Sequence, residues 1–150
     1  MLRAVSLPRP HANLISHDQL AIFTRPWRSP YNGTLAVHAV CPGRNIPISQ
    51  MKGCRLIVAT APLVGLVEYS NVTWDDDDVE ATTWKIDVDH ASLPKSQREL
   101  LLTVQPEPER WLYILGDITR TRVGCGGRSG AGLWVVPPEL EELCVEAPPY

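Results

Sequence analysis

Fourteen prolines spread along 150 residues leave few stretches in which a helix could run uninterrupted. Between them recur short β-branched and aromatic runs bounded by turn residues, and these predict strands. The clearest are Thr34–Val40, Arg55–Ala61, Gly65–Val72, Thr82–Val88, Trp111–Ile118 and Gly132–Val136. Thr34–Val40 alternates, with Leu35, Val37 and Ala39 on one face and Thr34, Ala36 and His38 on the other. Asn32-Gly33 ahead of it predicts a turn, because both residues tolerate positive φ. Arg55–Ala61 and Trp111–Leu115 are apolar almost throughout and should be covered on both faces. Helices are accessories, expected at His11–Ala21, at Ser92–Val104 with Ser96-x-x-Glu99 as a capping box, and at Pro138–Cys144. The fold class read from this pattern is mainly β with accessory helices (α+β), closed or partly closed into a β-barrel.

The length predicts a single domain over 1–150. No apolar run approaches the roughly 20 residues of a membrane helix, and Met1–Pro10 lacks the apolar stretch of a secretory signal. A soluble, cytoplasmic protein without membrane partners is therefore expected. Cys41, Cys54, Cys125 and Cys144 form no Cys-x-x-Cys pair, which argues against a zinc ribbon or a thioredoxin-like site. Read as a solvated loop, Asp75–Asp78 predicts no bound metal, since an EF-hand pattern is absent; no cofactor is expected. Net charge is −3. Residues 1–60 nevertheless carry seven basic side chains against one acid, and residues 61–150 seven against sixteen. That asymmetry predicts an anion-binding surface on the first part of the chain.

The segment richest in chemistry is Arg25-Pro-Trp-Arg-Ser-Pro-Tyr31. Two prolines hold it extended or in turns. Its arginines offer planar forks matched to phosphate, and Trp27 and Tyr31 offer faces on which a base could stack. The alternative is a structural role, with both aromatics in the core and the arginines covering them. Gly124–Gly132 holds five glycines in nine residues, and such a loop can aim backbone N–H groups at an anion; Arg128 and Ser129 lie within it. Glu68 is read either as a carboxylate facing a cleft or as a structural partner of Arg25 or Arg28. His38 is read either as a proton shuttle at the barrel mouth or as a satisfied structural histidine.

These segments, taken in order, resemble the ASCH domain family, whose β-barrel is related to the PUA domain. Val5-Ser-Leu-Pro-Arg-Pro-His-Ala-Asn-Leu-Ile15 is similar to its opening Leu-Ser-Leu…Pro…Ala…Leu-Ile. Arg25-Pro-Trp…Tyr31-Asn-Gly…Val37-His-Ala39 resembles its Arg-x-Trp…Tyr-x-Gly…Ile-His-Ala. Gly65-Leu-Val-Glu68, Trp111…Leu115-Gly-Asp-Ile118 and Gly132-Leu-Trp-Val-Val-Pro137 resemble its later strands. The resemblance implies binding of RNA or another single-stranded nucleic acid, or of a nucleotide or modified nucleoside. The nucleic-acid-binding residues would be Arg25, Trp27, Arg28, Tyr31, Lys52, Arg55, Arg128 and Ser129. It also raises a metal-independent ribonuclease, with Tyr31, His38, Lys52, Glu68 and Ser129 as candidate catalytic groups. A protein-interaction module is the remaining class. A nucleoside amidohydrolase is disfavoured, because the family's Lys-Thr and Glu positions fall on Leu20, Ala21 and Phe23, which supply neither base nor nucleophile. Whether the protein is an enzyme stays open at this point.

Overall fold

The computed structural model describes residues 1–40, 55–76, 84, 86–125 and 132–144. Its strands are β1 (Arg3–Pro8), β2 (Ile22–Arg25), β3 (Thr34–Val40), β4 (Leu56–Glu68), β5 (Val72–Asp75), β6 (Ala91–Pro94), β7 (Trp111–Leu115), β8 (Thr119–Gly124) and β9 (Trp134–Val135). Three helices accompany them: α1 (Arg9–Ser16), α2 (Lys95–Val104) and α3 (Pro138–Glu141). Prolines frame all three. Pro8, Pro94 and Pro137 occupy their N-cap positions, where the missing N–H costs nothing. Because α2 starts after Pro94, the expected Ser96–Glu99 capping box does not form, and β6 occupies the start of the predicted helix. Among the described residues, no helix is long and apolar enough to cross a membrane.

The main sheet has the order β2-β7-β4-β3-β1-β9, with β8 also paired to β4. β4 is its spine. Its first half pairs antiparallel with β3 and β8, and its second half pairs with β7. The two strands expected at Arg55–Ala61 and Gly65–Val72 are thus largely one, running through Pro62. Proline fits there because β7 and β8 are interrupted between Leu115 and Thr119, so its absent N–H breaks no ladder bond. At that interruption the Gly116 N–H donates to the Pro62 carbonyl at 2.8 Å. A Cβ on Gly116 would lie 2.9 Å from both Pro62 and Val64, so the crossing requires glycine. No closed barrel forms among the described residues, a correction to the fully closed reading. The strand predicted over Thr82–Val88 is absent at its described positions, Trp84 and 86–88.

Sequence alternation sorts the core into two layers. Val5 and Leu7 of β1 and Leu35, Val37 and Ala39 of β3 join Phe23, Leu66 and Tyr113 in the larger one. Ala4 and Ala36, on the opposite face, join Leu2, Ile57, Val123 and Val136 in the smaller. The free edge of β2 is covered by side-chain amides rather than by a strand. Gln105 accepts from Thr24 N and donates to Thr24 O, both at 3.3 Å. Gln97 accepts from Ala21 N at 2.9 Å. His11, buried in α1, meets the Ile22 carbonyl through Nε2 at 2.9 Å and so ties α1 to β2.

Candidate nucleic-acid interface

Pairing sets two cross-strand rows on one face of the sheet. Phe23, Tyr113 and Leu66 stand opposite one another, and two residues along stand Arg25, Trp111 and Glu68. Tyr113 organises what lies above. Its ring stacks on Phe23 at 4.9 Å and meets the edge of Trp27 at 5.6 Å. The Tyr113 hydroxyl donates to the Trp27 carbonyl at 2.8 Å and accepts from Ser29 N at 3.0 Å. Burial pushes the Tyr113 phenol up to about 12, against the opposing influence of the Ser29 N–H and of Arg25 and Arg28. It therefore remains a protonated donor, pinning the segment between Pro26 and Pro30 onto the sheet.

The two arginines of this segment have separate fates. The Arg25 side chain is 18% exposed; Nη2 donates to the Ser6 carbonyl at 2.7 Å and Nη1 to the Thr24 carbonyl at 2.9 Å. The Leu2 carbonyl, just ahead of β1, accepts from Val136 beside β9. By alternation the Ser6 carbonyl lies on the same outer edge of β1, beyond the two residues paired with β9. Arg25 therefore bridges from β2 to β1, the next-to-last strand of the sheet order. Burial lowers its pKa, offset by the Glu109 carboxylate 4.0 Å away and by Tyr113.

Arg28 is 48% exposed, and its guanidinium lies 5.3 Å from the centroid of Trp111. The Arg110 guanidinium lies 5.2 Å from the same ring. Arg28 Nε donates to Asp87 Oδ1 at 3.2 Å, with Nη2 in close contact, and this bond first and the charge second raise the Arg28 pKa. Asp87 holds that carboxylate from a left-handed backbone, φ 65°. Arg110 meets Glu68 at 3.5 Å. The expected partner of Glu68, Arg25 or Arg28, is thus replaced by Arg110.

The remaining predicted residues do not gather here. The Tyr31 hydroxyl reaches the Thr34 carbonyl at 2.5 Å and is 3.4 Å from that of Met1, with Arg3 5.7 Å from the ring centroid. Gly33 lies beneath that ring; a Cβ there would be 2.7 Å from the hydroxyl. Neither Asn32 nor Gly33 has a positive φ, so it is this close approach that demands glycine. Arg55, at φ 57°, donates its N–H to the Ala39 carbonyl and immediately precedes β4, at the opposite end from Glu68. Lys52, Arg128 and Ser129 lie outside the described residues.

His38 is buried on the face of the smaller core layer. Ser6 Oγ lies 3.1 Å from His38 Nδ1 and accepts from Trp134 Nε1 at 3.0 Å. The indole N–H can only donate, so Ser6 Oγ accepts from Trp134, while the direction of its bond with His38 Nδ1 follows the imidazole tautomer. Among the described residues, Nε2 has no partner. Burial lowers the His38 pKa and favours the neutral ring. Tyr31, His38 and Glu68, the described catalytic candidates, therefore face three different sets of neighbours. Among the described residues, no three metal-ligating side chains come together.

Arg110, Trp111, Asp87 and Tyr113 complete the interface without having been singled out from the sequence. Arg110-Trp111 at the start of a predicted strand is the one local signal for them. Neither a protein-family model nor a curated protein matches the chain.

Proposed function

We propose that the chain is an ASCH-like, PUA-related domain of the cytoplasm that binds single-stranded RNA or a nucleotide at the Arg28–Trp111–Arg110 surface. The observation that carries this reading is the pair of guanidiniums held over one indole. Cation–π contact with the ring limits the freedom of both arginines without consuming their N–H donors, which lowers the entropy cost of grasping a phosphate. The same planes can stack against an unpaired base. The mainly β architecture supports the ASCH likeness, since its motifs fall on β1–α1, the β2–β3 connection, the end of β4, β7 and β9. Leu20 and Phe23 are fully buried, which weighs further against an amidohydrolase. The spread of Tyr31, His38 and Glu68 favours binding over catalysis.

Anisotropy with a labelled single-stranded RNA of about ten nucleotides tests the reading. Wild-type affinity should fall as salt rises. Arg28→Ala should weaken binding by about tenfold and reduce the salt slope by about one. Unchanged binding in this variant would overturn the assignment of the surface.

A further inference from the structure

We propose that Asp87 and Glu68 occupy the positions of two neighbouring phosphates, so that the ligand is a strand segment with at least two phosphate groups, bound by exchange for the two carboxylates. This rests on the nucleic-acid reading of the same surface and specifies its ligand.

Each guanidinium over Trp111 already holds an oxyanion. Arg28 meets Asp87 through Nε and Nη2, and Arg110 meets Glu68 through Nη2. Carboxylate and phosphate present oxygens to the same guanidinium fork with the same charge-assisted geometry. The guanidiniums lie 5.3 Å and 5.2 Å from one ring centroid, so the two anion-holding groups share a single side chain as their common neighbour.

Exchange is favoured by exposure. The carboxyl-bearing side chains are 49% exposed at Asp87 and 37% at Glu68. Ion pairs this open to water contribute little, so an incoming phosphate displaces them readily. The arginines keep their contact with Trp111 when the acids leave. Asp87 is presented by a backbone in the left-handed region, uncommon for a residue other than glycine, and is fixed nearby by the Val88 N–H donating to the Leu66 carbonyl. The paired state leaves this surface close to neutral, so anions that cannot replace both carboxylates gain little from it.

The test measures binding of uridine, uridine 5′-monophosphate, a 5′-phosphorylated uridine dinucleotide and the ten-nucleotide RNA. The proteins are wild type, Asp87→Asn, Glu68→Gln, the double variant, and Glu99→Gln on the exposed surface of α2 as a charge-matched control. Asparagine tolerates left-handed backbone, so Asp87→Asn keeps the local fold. Asp87→Asn and Glu68→Gln should each tighten RNA binding about threefold and the double variant about tenfold, with a steeper salt dependence, while Glu99→Gln changes little. Wild type should bind the dinucleotide at least about tenfold more tightly than the monophosphate. Equal tightening by Glu99→Gln would reduce the effect to net charge and overturn the exchange. Equal affinity for one and two phosphates would overturn the two-phosphate ligand. Loss of binding in Arg28→Ala without any gain in Asp87→Asn would overturn the exchange while sparing the nucleic-acid reading. Failure of every protein to bind RNA would remove both.

Discussion

Arg25 and Arg28 stand three residues apart in one proline-bounded segment, yet they do opposite work. Arg25 turns inward, donates to two main-chain carbonyls and ties β2 to the outer edge of β1. Arg28 turns outward over Trp111 and meets a carboxylate that water also reaches. The difference comes from alternation. Arg25 is the last residue of β2 and inherits the inward face of the Phe23–Tyr113 row, whereas Arg28 follows Pro26 and leaves the strand. The same guanidinium is structural where main-chain oxygens surround it and available where a single exposed acid does.

The sharpest way to break this contrast is to truncate both. Arg25→Ala should cost about 2–3 kcal/mol, because it removes charge-assisted bonds and strips the Ser6 carbonyl of its partner. Thermal melts should then show Tm lowered by roughly 5–10 °C. A loss no larger than that of Arg28→Ala would erase the distinction.

Acid should act on the same inner layer. Burial holds His11 at about 4 rather than 6.5, opposed by its bond to the Ile22 carbonyl and reinforced by the Arg25 charge. Its folded pKa lies below the unfolded one, so protons bind preferentially to the unfolded chain. The stabilisation is complete above about pH 6.5 and is lost as pH falls towards about 4, at most roughly 3 kcal/mol. Urea melts across this window should show the decline. NMR titration should place the His11 pKa higher in Arg25→Ala, and an unchanged value would mean that the two groups are not coupled.

Tyr113→Phe should cost about 1–2 kcal/mol, since Trp27 O and Ser29 N lose the hydroxyl they share. Amide exchange should accelerate at Ser29 more than in β3. Arg28→Ala should leave stability nearly unchanged in urea melts while weakening RNA binding, the smallest effect on folding and the most telling for the proposed function.

What the sequence disclosed follows the range of the interactions involved. β3 was legible because alternation over Thr34–Val40 is a local property, and its two faces enter the two core layers as the pattern requires. β2 was not, because Ile22-Phe-Thr-Arg25 is short and buried at Ile22, Phe23 and Thr24, leaving no polar alternation to read. Pro62 misled by suggesting a break in β4; the interruption that accommodates it belongs to β7 and β8, more than 50 residues away. At the interface, the basic and aromatic character of Arg25–Tyr31 was visible. Which arginine faces inward depends on Ser6, and which acid meets Arg28 depends on Asp87, 59 residues distant. Trp111 read as a strand residue; beside it only Arg110 hinted at a cation, and nothing nearby disclosed that Arg28 joins it over the ring.

The amides of Gln97 and Gln105 that line the outer edge of β2 bear on how this protein can meet other molecules. By satisfying Ala21 and Thr24 they withdraw main-chain groups that an extended peptide would otherwise use to add itself to the sheet. Self-association by strand exchange is discouraged along that border. A partner meeting that border would find side-chain amides in place of open main-chain groups.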